Sequence, residues 1–350
     1  MDTSALVGLH SSVTIGADGL GLISYYDSSD RNLKVAHCSN VACTAATLTT
    51  LDSAGVAGLY SSVAIGADGL PLISYYSSSS ADLKVAHCTN VACTAATITT
   101  LDSDRTVGLY TSVAIGVDGL GLISYYDDTK GDLKVAHCSD TACTTTTTTA
   151  LDTGGNVGPY SSVTIGADGL GLISYSDASN AQPKIAHCSD IECTTATIGF
   201  LGSFGSDTAY TSAVIGADGL GLISYQDRAN TNLKIAHCGN LDCTSATTVT
   251  LDSTGVTGLY TSLSIGTDGL GLISYYNDST GDLMVAHCVD HACSAATTVA
   301  LDSVGNKGQY SALTIGTDGL ALISYYDSTA GNLNVAHCAS RFCSPYFRRR

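Results

Sequence analysis

A 50-residue unit repeats along the whole chain, and this period constrains the fold more than any other feature of the sequence. The motif VAHC or IAHC, followed by a second cysteine five positions on, recurs from residues 35, 85, 135, 185, 235, 285 and 335. Seven units of 50 account for all 350 positions without an interrupting insertion. Because repeat units share one continuous core, we expect a single domain over residues 1–350.

Each unit contains four short segments rich in Val, Ile, Tyr and Thr, separated by Gly, Ser, Asp and Asn. In the second unit these segments are Tyr60–Ile65, LPLISYY, LKVAHC and CTAATITTL. Alternating segments with turn residues between them predict a meander of antiparallel strands. Four strands in each of seven units predict an all-β, seven-bladed β-propeller around a channel. An open β-solenoid is disfavoured because the end units lack distinct polar caps.

The chain ends are expected to meet in a closed ring. Met1 and Asp2 align with Leu51 and Asp52, and Arg350 aligns with Thr50, which places both ends in the outer strand of the seventh blade. The predicted blades are residues 7–53, 57–103, 107–153, 157–203, 207–253, 257–303, and 307–350 together with 1–3. We therefore predict that the two termini lie close together.

The stretches IGADGLGLISYYD and LKVAHC connect the chain with a known group of proteins. The units resemble those of highly repetitive bacterial seven-bladed β-propeller proteins, loosely grouped with sialidase-like propellers. This resemblance implies the fold and no activity, because one fold hosts many functions. The chain contains no Trp, so it lacks the Trp-Asp dipeptide of WD repeats and the Trp-ended Asp-box of sialidases.

Two cysteines in each unit flank a four-residue turn, and we expect them opposite each other on neighbouring strands. Opposed residues are close enough for a disulfide. The expected pairs are Cys38–Cys43, Cys88–Cys93, Cys138–Cys143, Cys188–Cys193, Cys238–Cys243, Cys288–Cys293 and Cys338–Cys343. A zinc site is an alternative, but His37 and Cys38 should point to opposite faces of their strand. Free buried thiols are the remaining alternative.

Composition limits the partners and the compartment. The chain has 31 acidic and 14 basic residues and a formal net charge of −17, so we expect no nucleic-acid partner. No apolar run approaches the roughly 20 residues that span a bilayer, which predicts no transmembrane segment. Paired cysteines indicate an oxidising compartment, and we expect a secreted or cell-surface protein although no signal peptide is visible.

Candidate ligand-binding residues lie where the most varied loops meet, on the face that carries the loops after the second strands and the links between blades. Six tyrosines are expected at the entrance of the inner strands, with His10 in the seventh place: Tyr60, Tyr110, Tyr160, Tyr210, Tyr260 and Tyr310. Acidic residues recur nearby at Asp27, Asp127, Asp177, Asp227 and Asp327. Tyrosine faces with carboxylates suit a sugar or calcium. The alternative is that the tyrosines pack between blades and the carboxylates cap turns.

Other features of the units have structural interpretations. His37 and its six equivalents are expected to be hydrogen-bonded side chains that pack between blades, and the Asp-Gly pairs that begin with Asp18 predict hairpin turns. The run Thr144–Thr149 leaves an uncharged outer edge that suits pairing with another chain. The segment GFLGSFGSDTAY departs from the repeat through Phe200, Gly202 and Phe204, and indicates a functional or assembly contact.

The equivalence of the units decides the functional hypothesis. Catalysis needs a differentiated acid and base, whereas equivalent units supply no asymmetry and Glu192 is the single Glu. We therefore expect a non-catalytic binding or display scaffold without a cofactor, multivalent for a cation or for a partner such as a glycan or surface protein. A structural subunit that self-assembles through blade edges or faces is the alternative, and a polysaccharide hydrolase or lyase is disfavoured.

Overall fold

The computed structural model describes residues 1–4, 6–201 and 208–343, whose strands form seven antiparallel sheets. Six sheets contain four strands in consecutive order, and the last contains three described strands. This architecture confirms the predicted all-β, seven-bladed propeller. Gly202, Phe204 and the Arg348–Arg350 run lie outside the described residues. Within the described part of the chain, no helix has the length and apolarity needed to cross a membrane.

The strands occupy equivalent positions in every blade, counted outward from the channel. The innermost strands are β1 (Val7–Ile15), β5 (Ala57–Ile65), β9 (Val107–Ile115), β13 (Ser162–Ile165), β17 (Thr208–Ile215), β21 (Leu259–Ile265) and β25 (Lys307–Ile315). The second strands are β2 (Gly21–Asp27), β6 (Pro71–Ser77), β10 (Gly121–Asp127), β14 (Gly171–Asp177), β18 (Gly221–Asp227), β22 (Gly271–Asn277) and β26 (Ala321–Asp327).

The outer two positions complete each blade. The third strands are β3 (Asn32–Cys38), β7 (Asp82–Cys88), β11 (Asp132–Cys138), β15 (Gln182–Cys188), β19 (Asn232–Cys238), β23 (Asp282–Cys288) and β27 (Asn332–His337). The fourth strands are β4 (Ala46–Asp52), β8 (Ala96–Asp102), β12 (Thr146–Asp152), β16 (Ala196–Phe200), β20 (Ala246–Asp252) and β24 (Ala296–Asp302). The division of the chain at the predicted blade limits stays a prediction.

The first residues of the chain hold the seventh blade against the first. Asp2 forms an antiparallel bridge with Leu333 of β27, and the Tyr25 hydroxyl of the first blade donates a hydrogen bond to Asp2 Oδ2 at 2.7 Å. Nearer the channel, Ser11 Oγ lies 2.9 Å from Ser324 Oγ. These contacts close the ring. The predicted proximity of the two termini involves Arg350, which lies outside the described residues.

The hydrophobic core is divided among the junctions between blades. Leu22, Leu33 and Val35 of the first blade pack with Ile73 and Ala86 of the second, and all five side chains are fully buried. The second strands β2 and β6 are buried along their whole length, because a blade lies against each of their faces. Apolar burial is therefore greatest between blades, and each unit needs its neighbours to exclude water from its own strands.

All 14 cysteines form disulfides, in the seven predicted pairs. Their predicted position directly opposite each other on paired strands is wrong. Cys38 pairs in register with Ala46, whereas Cys43 lies in the loop before β4 with a φ of 51°. A left-handed residue in the loop, rather than strand pairing, brings the two sulfurs together. Both side chains are buried, so the bridge is part of the core.

A hydrogen bond, buried or partly buried, joins each of six second strands to the outer part of the preceding blade. The pairs are Tyr25–Asp2, Tyr75–Asp52, Tyr125–Asp102, Tyr175–Asp152, Tyr275–Asp252 and Tyr325–Asp302, with oxygen–oxygen distances of 2.6–2.7 Å. Lys134 also donates to Asp102 Oδ2. Burial alone would raise the pKa of Asp102, but hydrogen bonds from Lys134 and Tyr125 lower it. The carboxylate therefore accepts hydrogen bonds from two neighbouring donors, a hydroxyl and an ammonium.

Replacing Asp102 with Ala is expected to lower the free energy of unfolding by about 3 kcal/mol, because Tyr125 and the Lys134 ammonium lose their shared buried partner. Chemical denaturation at neutral pH measures the loss. Asp104→Asn is the control, since Asp104 pairs with Lys130 on the surface and surface pairs contribute little. An equal effect of the two substitutions would contradict this assignment of the buried pair.

Candidate functional site

In six of the seven blades, a β-bulge near the start of the innermost strand turns one aromatic side chain into the channel. In the first blade the pairing of β1 with β2 shifts between Leu9 and Ser12, around His10. His10 and the equivalent tyrosine of every other blade have φ angles of 51–57°. A bulge re-aims a side chain, and a left-handed residue other than glycine costs about 1–2 kcal/mol. The same strained conformation is thus maintained in all seven blades.

These seven side chains form a closed circle, which we call the aromatic ring: His10, Tyr60, Tyr110, Tyr160, Tyr210, Tyr260 and Tyr310. Neighbouring ring centroids lie 4.4–4.9 Å apart, and the planes are tilted by 43–60°. His10 lies between Tyr60 at 4.4 Å and Tyr310 at 4.6 Å. The structure therefore brings together the six tyrosines that the sequence singled out, with His10 in the seventh place as expected.

Two cavities of about 200 Å³ each meet at the aromatic ring. One is lined by the ring residues alone, and the other also by a hydroxyl from each inner strand: Ser11, Ser61, Thr111, Ser161, Thr211, Thr261 and Ser311. These hydroxyls bind the framework, since Ser61 Oγ donates to the His10 carbonyl oxygen at 3.0 Å and lies 2.9 Å from Ser24 Oγ. They hold the bulged backbone in place behind the ring.

Burial sets the charge state of the aromatic ring. Desolvation lowers the pKa of His10 to about 3, so its imidazole is neutral at pH 7. Burial raises the pKa of Tyr210 to about 12. It also raises the pKa of Tyr60, Tyr110, Tyr260 and Tyr310. The channel therefore presents a neutral imidazole among protonated hydroxyls, a lining that can both accept and donate hydrogen bonds without a net charge.

The acidic residues predicted near the ring bind other groups. Asp27 Oδ1 accepts backbone N–H bonds from Ser29 and Asp30 at 3.0 and 3.1 Å, and Asp27 Oδ2 lies 3.4 Å from Lys34. The equivalents Asp127, Asp177, Asp227 and Asp327 accept backbone bonds from their own turns. Their assignment to a ligand stays a prediction, as does calcium. Among the described residues, no group of three or more His, Cys, Asp or Glu is arranged to hold a metal ion.

Sequence reasoning gave His10 no chemical role, although its position is informative. His10 occupies a place that is Tyr in each of the other six units. A single histidine in an otherwise constant column was the signal that could have identified it. It introduces one titratable imidazole into a ring of tyrosines, so the blades are chemically unequal at the channel.

Comparison with known proteins identifies shared architecture. No model of a known protein family matches the sequence, and no match was found among curated proteins. The structure is similar to an ulvan lyase of polysaccharide lyase family PL25, bound to -[GlcA(1-4)Rha3S]-, with 11% identity over 95% of this chain and 94% of that one and a TM-score of 0.60. It is also similar to two further enzymes.

The first of these is an α-L-arabinofuranosidase from Fusarium graminearum in complex with an iminosugar inhibitor, with 11% identity over 80% of this chain and 91% of that one and a TM-score of 0.55. The second is the NanB sialidase from Streptococcus pneumoniae, with 10% identity over 96% of this chain and 68% of that one and a TM-score of 0.54. At such identities the likeness shows the fold alone, in agreement with the sialidase-like propeller resemblance.

The expectation of a non-catalytic binding scaffold, with a structural subunit as its alternative, is corrected by these comparisons. The three propellers reported above are enzymes that act on carbohydrates. The expectation depended on seven equivalent units, and this premise is also wrong. Substitutions in single blades, such as His10 in the aromatic ring, create local asymmetry that the strand pattern does not reveal.

Proposed function

We propose that this protein is a carbohydrate-acting enzyme that holds a sugar unit at the aromatic ring and cleaves a glycosidic bond there. The observation that carries the proposal is the closed ring of six tyrosines and His10 around the channel. Aromatic faces bind the apolar C–H faces of sugars, while hydroxyl and imidazole groups satisfy sugar hydroxyls. The carbohydrate-acting propellers of similar fold support this choice of substrate class.

Charge favours a neutral or weakly charged polysaccharide over a polyanion. The chain has a net charge of −17, and the residues that line the two ring cavities include neither Lys nor Arg. A uronate or sulfated polymer would be repelled by the acidic surface and would find no cation among those lining residues. Neutral glycans incur no such cost.

Proton transfer is assigned to His10 and the adjacent tyrosines. The lining residues include no carboxylate, so the two-carboxylate arrangement of most glycoside hydrolases is not formed at the ring. In hydrolysis, the attacking water gives a proton to the free electron pair of His10 as the water oxygen bonds to the anomeric carbon, and Tyr60 or Tyr310 gives a proton to the departing oxygen as the glycosidic bond breaks. Because the pKa of His10 is low, the imidazolium then returns its proton to that tyrosine, which restores both groups. The single imidazole supplies the asymmetry that a sevenfold ring lacks.

His10→Tyr is expected to lower kcat by about 100-fold or more, the usual contribution of a general acid or base, with a much smaller change in Kd for a product oligosaccharide. Tyr occupies this place in six blades, so the variant retains the ring and should fold. Release of reducing ends from a panel of neutral polysaccharides measures kcat, and calorimetry measures Kd. Because the pKa of His10 is about 3, the wild-type rate should show no imidazole titration near pH 6.5.

The control is Val117→Thr, an exposed turn position where Thr stands in two other blades as Thr267 and Thr317. This variant should match the wild type. An unchanged kcat in His10→Tyr would show that the imidazole has no catalytic role. Failure to cleave any polysaccharide of the panel would reject the proposed activity.

The proposal extends to the cellular location of the protein. The seven disulfides indicate an oxidising environment. We infer that the enzyme acts outside the cytoplasm, secreted or at the cell surface, where polysaccharides are accessible to it.

A further inference from the structure

A second set of titratable side chains lies on the face of the propeller opposite the varied loops. These side chains are not part of the aromatic ring. In each blade, the His of the VAHC or IAHC motif faces the Asp of the turn between the first two strands. The pairs are His37–Asp18, His87–Asp68, His137–Asp118, His187–Asp168, His237–Asp218, His287–Asp268 and His337–Asp318, with Nε2 to Oδ2 distances of 2.7–3.0 Å. One ring nitrogen of every histidine thus lies close to a carboxylate of its own blade.

At two junctions the other side of the imidazole contacts the cysteine loop of the next blade. Asp242, the residue before Cys243, places Oδ1 3.1 Å from Nδ1 of His187. Phe342 occupies the same place in the seventh blade and packs its ring 4.9 Å from that of His287. The residue before the second cysteine is therefore the contact that one blade makes with the histidine of the preceding blade.

This position divides the junctions into two kinds. It is Ala in four blades, as Ala42, Ala92, Ala142 and Ala292, and Glu192, Asp242 or Phe342 in the others. The histidines that face the larger residues are buried: His137 is 8% exposed, and His187 and His287 are each 5% exposed. The histidines that face Ala are half-buried. Glu192 stands at the place from which Asp242 contacts His187, and it lines a cavity together with His137.

The junction between the third and fourth blades contains a cavity of about 380 Å³. Asp118, His137, Thr147 and Glu192 supply polar groups to its walls, and Leu120 and Ile191 supply apolar surface. At the next junction, Asp242 contacts its histidine directly. Glu192 has one more methylene than Asp, and it lines the cavity together with the buried imidazole.

We propose that this cavity binds a primary ammonium group on a short apolar stem. Two carboxylates face one imidazole, and neither Lys nor Arg is among the lining residues, so the walls attract a cation. An ammonium has three N–H donors, which match the oxygens of Glu192, Asp118 and Thr147. Leu120 and the exposed part of Ile191 pack on the stem. This site is separate from the aromatic ring and does not depend on the function proposed for it.

Calorimetric titration with 1,4-diaminobutane at low ionic strength tests the proposal. The wild type should bind one molecule per chain, and Glu192→Ala should weaken binding by about tenfold or more, since a charged partner is removed. Ala stands at this place in four blades, so the variant should fold. Glu192→Gln keeps the shape without the charge and should show a similar loss. The neutral analogue 1,4-butanediol should not bind.

Asp242→Ala is the matched control, because it removes an equivalent acidic residue at a junction where the carboxylate already contacts its histidine. Binding should survive this substitution. Equal loss in Asp242→Ala and Glu192→Ala would mean that the amine senses only the overall negative charge, and would overturn the site. Stoichiometric binding of Ca²⁺ in preference to every amine would also overturn it.

Two probes separate the natural sources of an ammonium group. Nα-acetyl-lysine amide represents a lysine side chain of a protein partner, and glucosamine represents an amino sugar. Binding of either one that is lost in Glu192→Ala supports the site and identifies its source. Binding of neither probe, with no binding of the diamine, rejects the proposal.

Discussion

Reduction of the seven disulfides is expected to unfold the propeller at room temperature. Each bridge closes a loop with a sequence separation of five residues, which contributes about 2 kcal/mol in the chain-entropy account. Seven bridges together contribute on the order of 15 kcal/mol. That sum is comparable with the whole net stability of a folded domain, roughly 5–15 kcal/mol. The reduced chain should therefore lose its fold, as measured by circular dichroism after reduction and alkylation.

The buried position of the cysteines adds a kinetic expectation. Cys138 and Cys143 are fully buried between the third blade and its neighbour, so a reductant reaches them only when the junction opens. Reduction of the native protein should be slow and should accelerate in denaturant. The double variant Cys138→Ala, Cys143→Ala removes one bridge and should cost about 2 kcal/mol. An unchanged melting temperature in the fully reduced protein would contradict a structural role for these bridges.

Gly108→Ala is expected to lower the free energy of unfolding by about 4 kcal/mol. Gly108 has a φ of 99°, and an added Cβ would lie 2.6 Å from the Cα of Leu83 in the preceding blade. A left-handed non-glycine residue costs about 1–2 kcal/mol, and overpacking a core typically costs a further 1–3 kcal/mol. The neighbouring atom is backbone, so no side-chain rotation relieves the clash. The midpoint of chemical denaturation measures the loss.

Gly121→Ala is the matched control for this substitution. Its added Cβ would meet the side chains of Leu72 and Cys138, and Ala321 already occupies the equivalent place in the seventh blade. The cost should stay below about 1.5 kcal/mol, because side chains can shift. If both alanine variants were equally stable, the close approach of the blades at Gly108 would not limit the fold.

Much of the candidate site was predictable from the positions that recur in every 50-residue unit. The tyrosine column of the inner strands and the alternation of strand direction placed six tyrosines at one end of the channel. The left-handed backbone of Tyr60 and its equivalents was not predictable, because a bulge depends on how β5 pairs with β6. The bulge directs these rings into the channel rather than between blades.

Glu192 shows why the sequence did not predict contacts between side chains of different blades. In the sequence it is an isolated acid beside a cysteine, 55 positions from His137. In the structure it lines a cavity with that histidine, because the cysteine loop of each blade reaches the preceding blade. The pattern within one unit reports strands and turns, and it carries no information about which side chains meet across a junction.

The sequence by itself determined the number of blades, the strands within them and the cysteine partners, because strand period, turn residues and short-range bridges depend on neighbours within one unit. Only the tertiary structure decided where the sulfurs are buried, that a bulge turns His10 and five of its equivalents into the channel, that Asp242 and Phe342 contact histidines of the preceding blades, and that Glu192 shares a cavity with His137. These contacts join residues of different blades. They depend on the closure of the seven blades into a circle, and interactions within a single unit do not determine that closure.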